Sequence, residues 1–227
     1  MRNRNVYIHA PLIKFGQKEH MEKLIYEGEV FFNTVKYYRD CENSEIGDTN
    51  EGLSFISHLP DGKLWCDGKC LGETRNHVVK QTEHIKNKNL FCVFALENQY
   101  VLDRMNDDNE LLIDVYNHSG FGTHCVVIMD IPSFTERLLQ KIHERNLIVE
   151  HQLVYYTDFS SYNGEVTPFM KDIKYKHQCE YRFLVHNTEN ESIKFSIGSI
   201  KDIAHIIPIG SVLKRTFEKI DNGLIMN

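Results

Sequence analysis

The stretch QCEYRFLVH, residues 178–186, alternates polar and apolar side chains and then becomes a continuous apolar run. This pattern predicts a β-strand, on which alternation places Gln178, Glu180 and Arg182 on one face. A strand that carries an amide, a carboxylate and a guanidinium on one face either bears a surface ion pair of small energetic value or lines a cleft. Both interpretations stay open for this stretch alone.

The composition predicts a soluble globular protein with one domain over residues 1–227. The chain has 41% hydrophobic and 26% charged residues among its 227, which is ordinary for one core of this size. The formal net charge of -6 argues against tight binding of nucleic acid through a broad basic surface, although it leaves a local basic groove open.

Two further observations concern the compartment. No apolar run reaches the roughly 20 residues that span a bilayer, and the start, MRNRN, lacks the pattern of a signal peptide. Six cysteines without a secretion signal fit a reducing compartment, so we expect a cytoplasmic protein that does not contact a membrane. Cys66 and Cys70 are either reduced thiols in a glycine-rich loop or half of a zinc site, and reduced thiols are favoured.

The hydrophobic patterns favour an α+β fold whose core is a split, mostly antiparallel mixed sheet with few short helices. Helices are expected near residues 18–27 and 133–145, and residues 107–116 are ambiguous but compatible with a short helix. Strands are expected at residues 5–10, 30–38, 89–96, 124–129, 147–156, 179–186, 192–197 and 205–209.

Three local expectations follow from shorter motifs. The second strand, from Val30, is expected to run on to Tyr37 and Tyr38. Residues 53–58 and 63–66 are expected to pair as a hairpin across Pro60-Asp61-Gly62. Ser133 is expected to cap the second helix, with Glu136 completing a capping box.

Three pieces of the chain occur in an order that resembles the ADP-ribosyltransferase fold. They are a first strand ending in His9, the aromatic pair Tyr37-Tyr38 followed by Arg39, and the late strand with Gln178-x-Glu180. The closing strands, from Glu180 and from Ile203, also look like those of the nucleic-acid ADP-ribosyltransferases of the DarT-like and CmdT-like type. Known phosphate-loop and nucleophile-elbow motifs do not occur.

The resemblance implies a role for each residue. Glu180 would be the catalytic carboxylate that stabilises the positive charge on the ribose of NAD, and Gln178 would hold the acceptor. One of Tyr37 and Tyr38 would stack on nicotinamide while the other packs in the core. Arg39 either holds a pyrophosphate oxygen or only neutralises the acidic loop after it. His9 would hydrogen-bond ribose, and no metal is expected.

The resulting hypothesis is an NAD-dependent ADP-ribosyltransferase that modifies a macromolecule, with nucleic acid as the acceptor and RNA preferred to DNA by analogy. It would act as a toxin or anti-phage effector and would need a neutralising antitoxin protein. Two alternatives stay open: a non-catalytic nucleotide or nucleic-acid binding module, in which Glu180 and Arg182 form a structural ion pair, and an NAD glycohydrolase that uses Glu180 with water as acceptor.

Overall fold

A computed structural model describes residues 8–43, 45–74, 77–82, 88–97, 100, 116–187, 190–212, 217–220 and 223–226. The helices are α1 (Lys18–Glu27), α2 (Val35–Asp40), α3 (Ile131–Glu144) and α4 (Ile209–Val212), and two 3₁₀ helices span Tyr116–Phe121 and Ile173–Gln178. The strands are β1 (Ile8–Gly16), β2 (Glu29–Thr34), β3 (Phe55–Leu59), β4 (Gly62–Cys66), β5 (Lys69–Thr74), β6 (His77–Gln81), β7 (Lys88–Glu97), β8 (His124–Ile128), β9 (Ile148–Leu153), β10 (Tyr155–Thr157), β11 (Gly164–Glu165), β12 (Met170–Asp172), β13 (Glu180–His186), β14 (Ile193–Ser196), β15 (Ala204–Pro208), β16 (Phe217–Ile220) and β17 (Gly223–Met226).

The predicted fold class, α+β with mostly antiparallel sheets and few helices, is confirmed. The largest sheet has eight strands, with a path β14-β2-β7-β1-β8-β15 and with β13 and β9 added beside β7. Its described pairs are all antiparallel, whereas β10 and β12 pair in parallel in a small separate sheet.

One edge of β7 is shared by two strands that diverge. β1 pairs with the C-terminal part of β7 as far as Phe94, and β2 pairs with it only at Leu90 and Asn89. The described strand pairs therefore leave residues 91–93 without a partner strand on this edge. The opposite edge of β7 is paired with β13 from Lys88 to Phe94. The main sheet is split between β1 and β2, and this split positions the site described below.

Helices α1 and α3 contribute apolar side chains to the main core. Met21, Leu24 and Ile25 of α1 are buried there, as are Phe134 and Leu138 of α3. Burying one such side chain contributes about 1.5–3 kcal/mol, so this layer accounts for much of the fold's stability. The other face of β7 and β13 carries Glu180 and Arg182 together with a smaller apolar cluster that contains Leu90 and Leu184.

The prediction of a strand through residues 30–38 is wrong at its C-terminal end. β2 ends at Thr34, and Tyr37 and Tyr38 lie on helix α2. Thr34 caps this helix because its Oγ1 accepts a hydrogen bond from the Tyr37 backbone N–H at 3.0 Å. A threonine three residues before Tyr37 is the signal that the strand interpretation overlooked.

The predicted hairpin and capping box are also wrong. β3 pairs with β6 and β11, while β4 pairs with β5. Asp67 and Gly68 adopt φ values of 48° and 74°, as an Asp-Gly turn that closes a tight hairpin requires. Helix α3 begins at Ile131 and is capped by Asp130, whose carboxylate accepts from Ser133 N–H at 3.0 Å.

Several boundaries differ from the predictions. The first strand continues past Ala10 to Gly16, and Glu180 begins β13, so Gln178 ends a 3₁₀ helix instead of lying on the strand. The segment expected at residues 147–156 is two strands, β9 and β10. Most of the ambiguous segment, residues 107–115, lies outside the described residues, and the single domain over residues 1–227 stays a prediction.

Candidate functional site

A cavity of about 550 Å³ opens at the split in the main sheet. This volume lies within the range of pockets that bind small organic molecules and cofactors. Phe91, Cys92 and Val93 of the unpaired edge of β7 line it, as do residues of β1 and β2. A larger depression of about 840 Å³ follows the outer face of α3, but it is open and contains none of the buried charges described next.

Five polar side chains, which we call the Glu180 network, meet at the cavity: Glu51, Lys171, Gln178, Glu180 and Arg182. The Lys171 ammonium donates to Glu180 Oε1 at 2.6 Å and to Gln178 Oε1 at 2.5 Å. The Arg182 guanidinium donates to Glu180 Oε2 at 2.7 Å and, with two nitrogens, to the Glu51 carboxylate at 2.8 Å each. Two cations and two carboxylates thus neutralise one another.

The network is almost completely removed from solvent. The side chains of Arg182 and Lys171 are 1% and 4% exposed, and that of Glu51 is 4% exposed. Glu180 retains 12% exposure and lines the cavity. Buried ion pairs of this kind contribute little net stability because desolvation opposes the attraction, yet loss of one member leaves an unpaired buried charge. The network therefore holds the Glu180 carboxylate in a fixed position at the cavity.

The electrostatics keep Glu180 ionised. Burial alone would raise the pKa of its carboxyl group, but Arg182 and Lys171 outweigh that effect and lower the pKa well below its usual value. Burial opposes the charge on Arg182, whereas Glu180 and Glu51 raise the pKa of its guanidinium. The lowered pKa keeps Glu180 ionised at neutral pH, where it has no proton to donate as a general acid.

Local backbone geometry brings Gln178 to Glu180 although it is not on the strand. Cys179, between them, adopts φ 41°, which turns the chain from the 3₁₀ helix into β13. Gln178 is buried, with 4% of its surface exposed. Its Oε1 accepts a hydrogen bond from the Lys171 ammonium, and its Nε2 donates one to the Glu45 carbonyl at 2.8 Å. Both ends of the amide are therefore engaged by the protein, so Gln178 orients Lys171 and the Glu45 loop.

The two tyrosines of the aromatic pair differ in exposure. Tyr37 is 46% exposed, and both Tyr37 and Tyr38 line the cavity. Tyr38 packs against a core cluster that contains Val35 and Leu90, and burial raises the pKa of its hydroxyl well above the usual value. The two rings pack edge to face, with their centres 5.4 Å apart. Tyr37 is therefore the member of the pair that can offer a ring to a ligand.

Of the remaining predicted residues, Arg39 is not brought to the Glu180 network, and the side chain of His9 is outside the described residues. Arg39 is absent from the cavity lining, and its Nε donates to Asp40 at 2.8 Å, which agrees with the alternative that it neutralises nearby acid. The backbone of His9 lies in β1 opposite Leu96. The predicted cofactor set of His9, Arg39 and the tyrosines thus contributes Tyr37 and Tyr38 to the cavity.

Sequence reasoning missed three charged residues of the site. The local sequence around Lys171, and around Glu51 in its acidic loop, does not distinguish either residue from a solvated one. Lys14 interrupts the apolar run Leu12-Ile13-Lys14-Phe15, a pattern that indicates a buried cation, and it lines the cavity. Only the lysine within an apolar strand carried a signal that could have been recognised.

Comparisons with models of protein families, with curated proteins and with solved structures find no match for this chain. No helix among the described residues is long and apolar enough to cross a membrane. In the same part of the chain, no group of three or more His, Cys, Asp and Glu side chains is placed to hold a metal ion. Cys66 and Cys70 are exposed free thiols.

Proposed function

We propose that this chain is an NAD-dependent ADP-ribosyltransferase that modifies a macromolecule. One observation carries the proposal: Glu180 is held ionised by Lys171 and Arg182 and still lines a cavity of about 550 Å³. A fixed negative charge in a site sheltered from water stabilises a developing cation most strongly. The order of the residues in the chain, which resembles that of ADP-ribosyltransferases, supports the same reaction.

The reaction needs a carboxylate and few other groups. The bond between ribose C1′ and the nicotinamide nitrogen breaks, nicotinamide departs as a neutral molecule with the bonding electrons, and C1′ then bonds to the acceptor, which releases a proton to solvent. Glu180 would accept a hydrogen bond from a ribose hydroxyl and stabilise the positive charge on the sugar. Tyr37 would cover an aromatic ring of the substrate, since its ring lines the cavity and is partly exposed.

The residues present are compatible with NAD. The cavity combines aromatic and apolar lining with cationic side chains, which suits a ligand with flat rings and a pyrophosphate. Carried over from the resemblance, the proposed acceptor is nucleic acid, RNA before DNA, the proposed setting is a cytoplasmic toxin or anti-phage effector, and the proposed partner is an antitoxin protein.

Two observations favour the alternatives. The Gln178 amide is engaged by the protein at both ends, which favours an NAD glycohydrolase with water as acceptor over a transferase that uses Gln178 to orient the acceptor. Each oxygen of Glu180 already accepts from a protein cation, which favours a binding module whose network is structural. Carboxylate oxygens have further acceptor capacity, so these contacts do not prevent Glu180 from binding a ribose hydroxyl.

The test uses NAD labelled in its adenosine part, incubated separately with pools of RNA, DNA and protein. Label transfer to a macromolecule and nicotinamide release are measured for the wild type, Glu180→Gln and Glu150→Gln. Glu150 is a matched control because it is a strand glutamate that is 55% exposed and pairs with His186. Transfer that depends on Glu180 but not on Glu150 supports the proposal, and nicotinamide release without transfer selects the glycohydrolase. Binding of NAD without transfer or nicotinamide release supports the non-catalytic binding module instead.

A further inference from the structure

Lys14 is a cavity cation that the proposed reaction does not use. It lies on β1 just where this strand diverges from β7, and its ammonium donates to the Cys92 carbonyl at 2.8 Å. Cys92 belongs to the stretch of β7 that has no strand partner on this edge. Lys14 therefore reaches into the split and replaces a missing strand contact with one hydrogen bond.

The surroundings of Lys14 differ from those of the other enclosed cations. Lys171 and Arg182 each contact a carboxylate, whereas among the described residues Lys14 forms no ion pair. Its Nζ lies 5.0 Å from the centre of the Phe91 ring, which favours a cation. Burial lowers the pKa of Lys14, while Cys92 and Glu180 raise it. An enclosed ammonium that forms no ion pair is costly unless a ligand supplies an anion in contact with it.

The lining of the cavity indicates which anion fits. Among the described residues, five lysine and arginine side chains and four glutamates line it, a local excess of cations in a chain of formal net charge -6. Aromatic rings line it as well, among them Phe15 and His118, whose centres lie 4.6 Å apart. A ligand that combines a flat base with a negatively charged group satisfies both features, because bases stack on rings and phosphates bind ammonium groups.

We propose that Lys14 is the phosphate-binding residue of this cavity and that its ligands are nucleotides carrying a phosphate or pyrophosphate group. The inference goes beyond the proposed function, because it holds for any nucleotide and needs no reaction. The Lys14 ammonium has three donors, one of which is used by the Cys92 carbonyl, so the others are available to phosphate oxygens. NAD would then bind with its pyrophosphate at Lys14.

Isothermal titration calorimetry with ADP, adenosine and inorganic phosphate tests this role. Hydrogen bonds to charged groups contribute enough to make ADP bind about 10- to 100-fold more tightly than adenosine. Lys14→Met should remove this preference and leave adenosine binding unchanged. Lys63→Met is the control, because Lys63 is 58% exposed, pairs with Glu73 at 3.8 Å and is absent from the cavity lining. Its effect on ADP binding should stay within about fivefold.

Lys14→Gln keeps a donor for the Cys92 carbonyl and removes the charge, so it separates the phosphate role from a purely structural one if Lys14→Met fails to fold. Loss of the ADP preference in a folded Lys14→Gln protein supports the inference. Equal affinity of the wild type for ADP and adenosine, binding of neither, or an ADP preference that survives both substitutions overturns it. If the wild type does not release nicotinamide from NAD, the proposed function is wrong. The inference that Lys14 binds phosphate is then still decided by the ADP titrations.

Discussion

The Glu180 network and the β4–β5 hairpin contain similar residue types but differ in every property that matters for function. In the network, charged side chains from three distant segments meet out of water. In the hairpin, residues 62–73 are all exposed, and Leu64, Trp65 and Leu71 are between 58% and 63% exposed. Its ion pair, Lys63–Glu73, spans 3.8 Å in solvent. The convergence of charged side chains from separate segments, and their burial, therefore distinguish this site better than residue type does.

The largest effect is expected when the network loses its central cation. Arg182→Leu leaves Glu51 and Glu180 buried with fewer partners, and breaking a buried pair in this way typically costs about 3–5 kcal/mol of folding free energy. Lys63→Met, the equivalent change in the hairpin, should leave the unfolding transition unchanged because surface pairs contribute little. Urea unfolding followed by circular dichroism measures both. Similar stability losses for the two variants would contradict the comparison.

The next largest effect is expected in the rate of ADP-ribose transfer when Glu180 is replaced. Removing one preorganised electrostatic group typically costs about 100- to 1,000-fold in rate, so Glu180→Gln should lose nearly all ADP-ribose transfer while still binding NAD. Transfer rates and calorimetric NAD titrations on the folded variant provide the measurement. Full activity in a folded Glu180→Gln protein would falsify the transferase assignment.

Gln178→Ala is expected to have an intermediate effect. The sequence alone suggests that it impairs transfer to a macromolecule more than hydrolysis of NAD. The structure instead has its amide bound to Lys171 and to the Glu45 carbonyl, so both reactions should fall together, by about tenfold for a lost buried hydrogen bond. Parallel assays of transfer and nicotinamide release decide the matter, since a selective loss of transfer would restore direct contact with the acceptor.

A smaller effect is expected in the pH dependence of stability. The pKa of Glu180 is lowered in the folded state from its ordinary value of 4.5. Its ionisation therefore stabilises the fold fully above pH 4.5, and this contribution is lost progressively as the pH falls below that value. Glu180→Gln should show a shallower fall in unfolding free energy over this acidic range, although it is less stable overall. Urea titrations at a series of acidic pH values, with Glu150→Gln as the control, test the slope.

The smallest effect is expected in the hairpin. Cys66 and Cys70 are exposed free thiols, and no metal-binding group of three is found among the described residues. Replacing both by serine should change neither the melting temperature nor NAD turnover, and added zinc should not raise the melting temperature of the wild type. If zinc raises the melting temperature of the wild type but not that of the double variant, this expectation is contradicted and a zinc site at Cys66 and Cys70 is supported.

Much of the architecture could be predicted from periodicity. The strands at β7, β8, β13 and β14 and the helix α1 were located within about two residues, because each has a strong apolar pattern or a clear end signal such as Gly28. The errors occurred where a short-range signal competes with an apolar run. Thr34 ends β2 by capping a helix, and Asp67-Gly68 closes a hairpin that pairs β4 with β5.

By itself, the sequence determined the α+β class, the apolar faces of the main elements and the polar side chains that precede the apolar part of β13, since these depend on local periodicity and on residue type. Only the tertiary structure decided that Glu51 reaches Arg182 across 131 positions of sequence, that Lys171 and not solvent pairs with Glu180, and that Lys14 enters the split beside Cys92. Contacts between distant segments depend on how strands pair and where they diverge. That information lies in the packing of the whole chain, and no local pattern contains it.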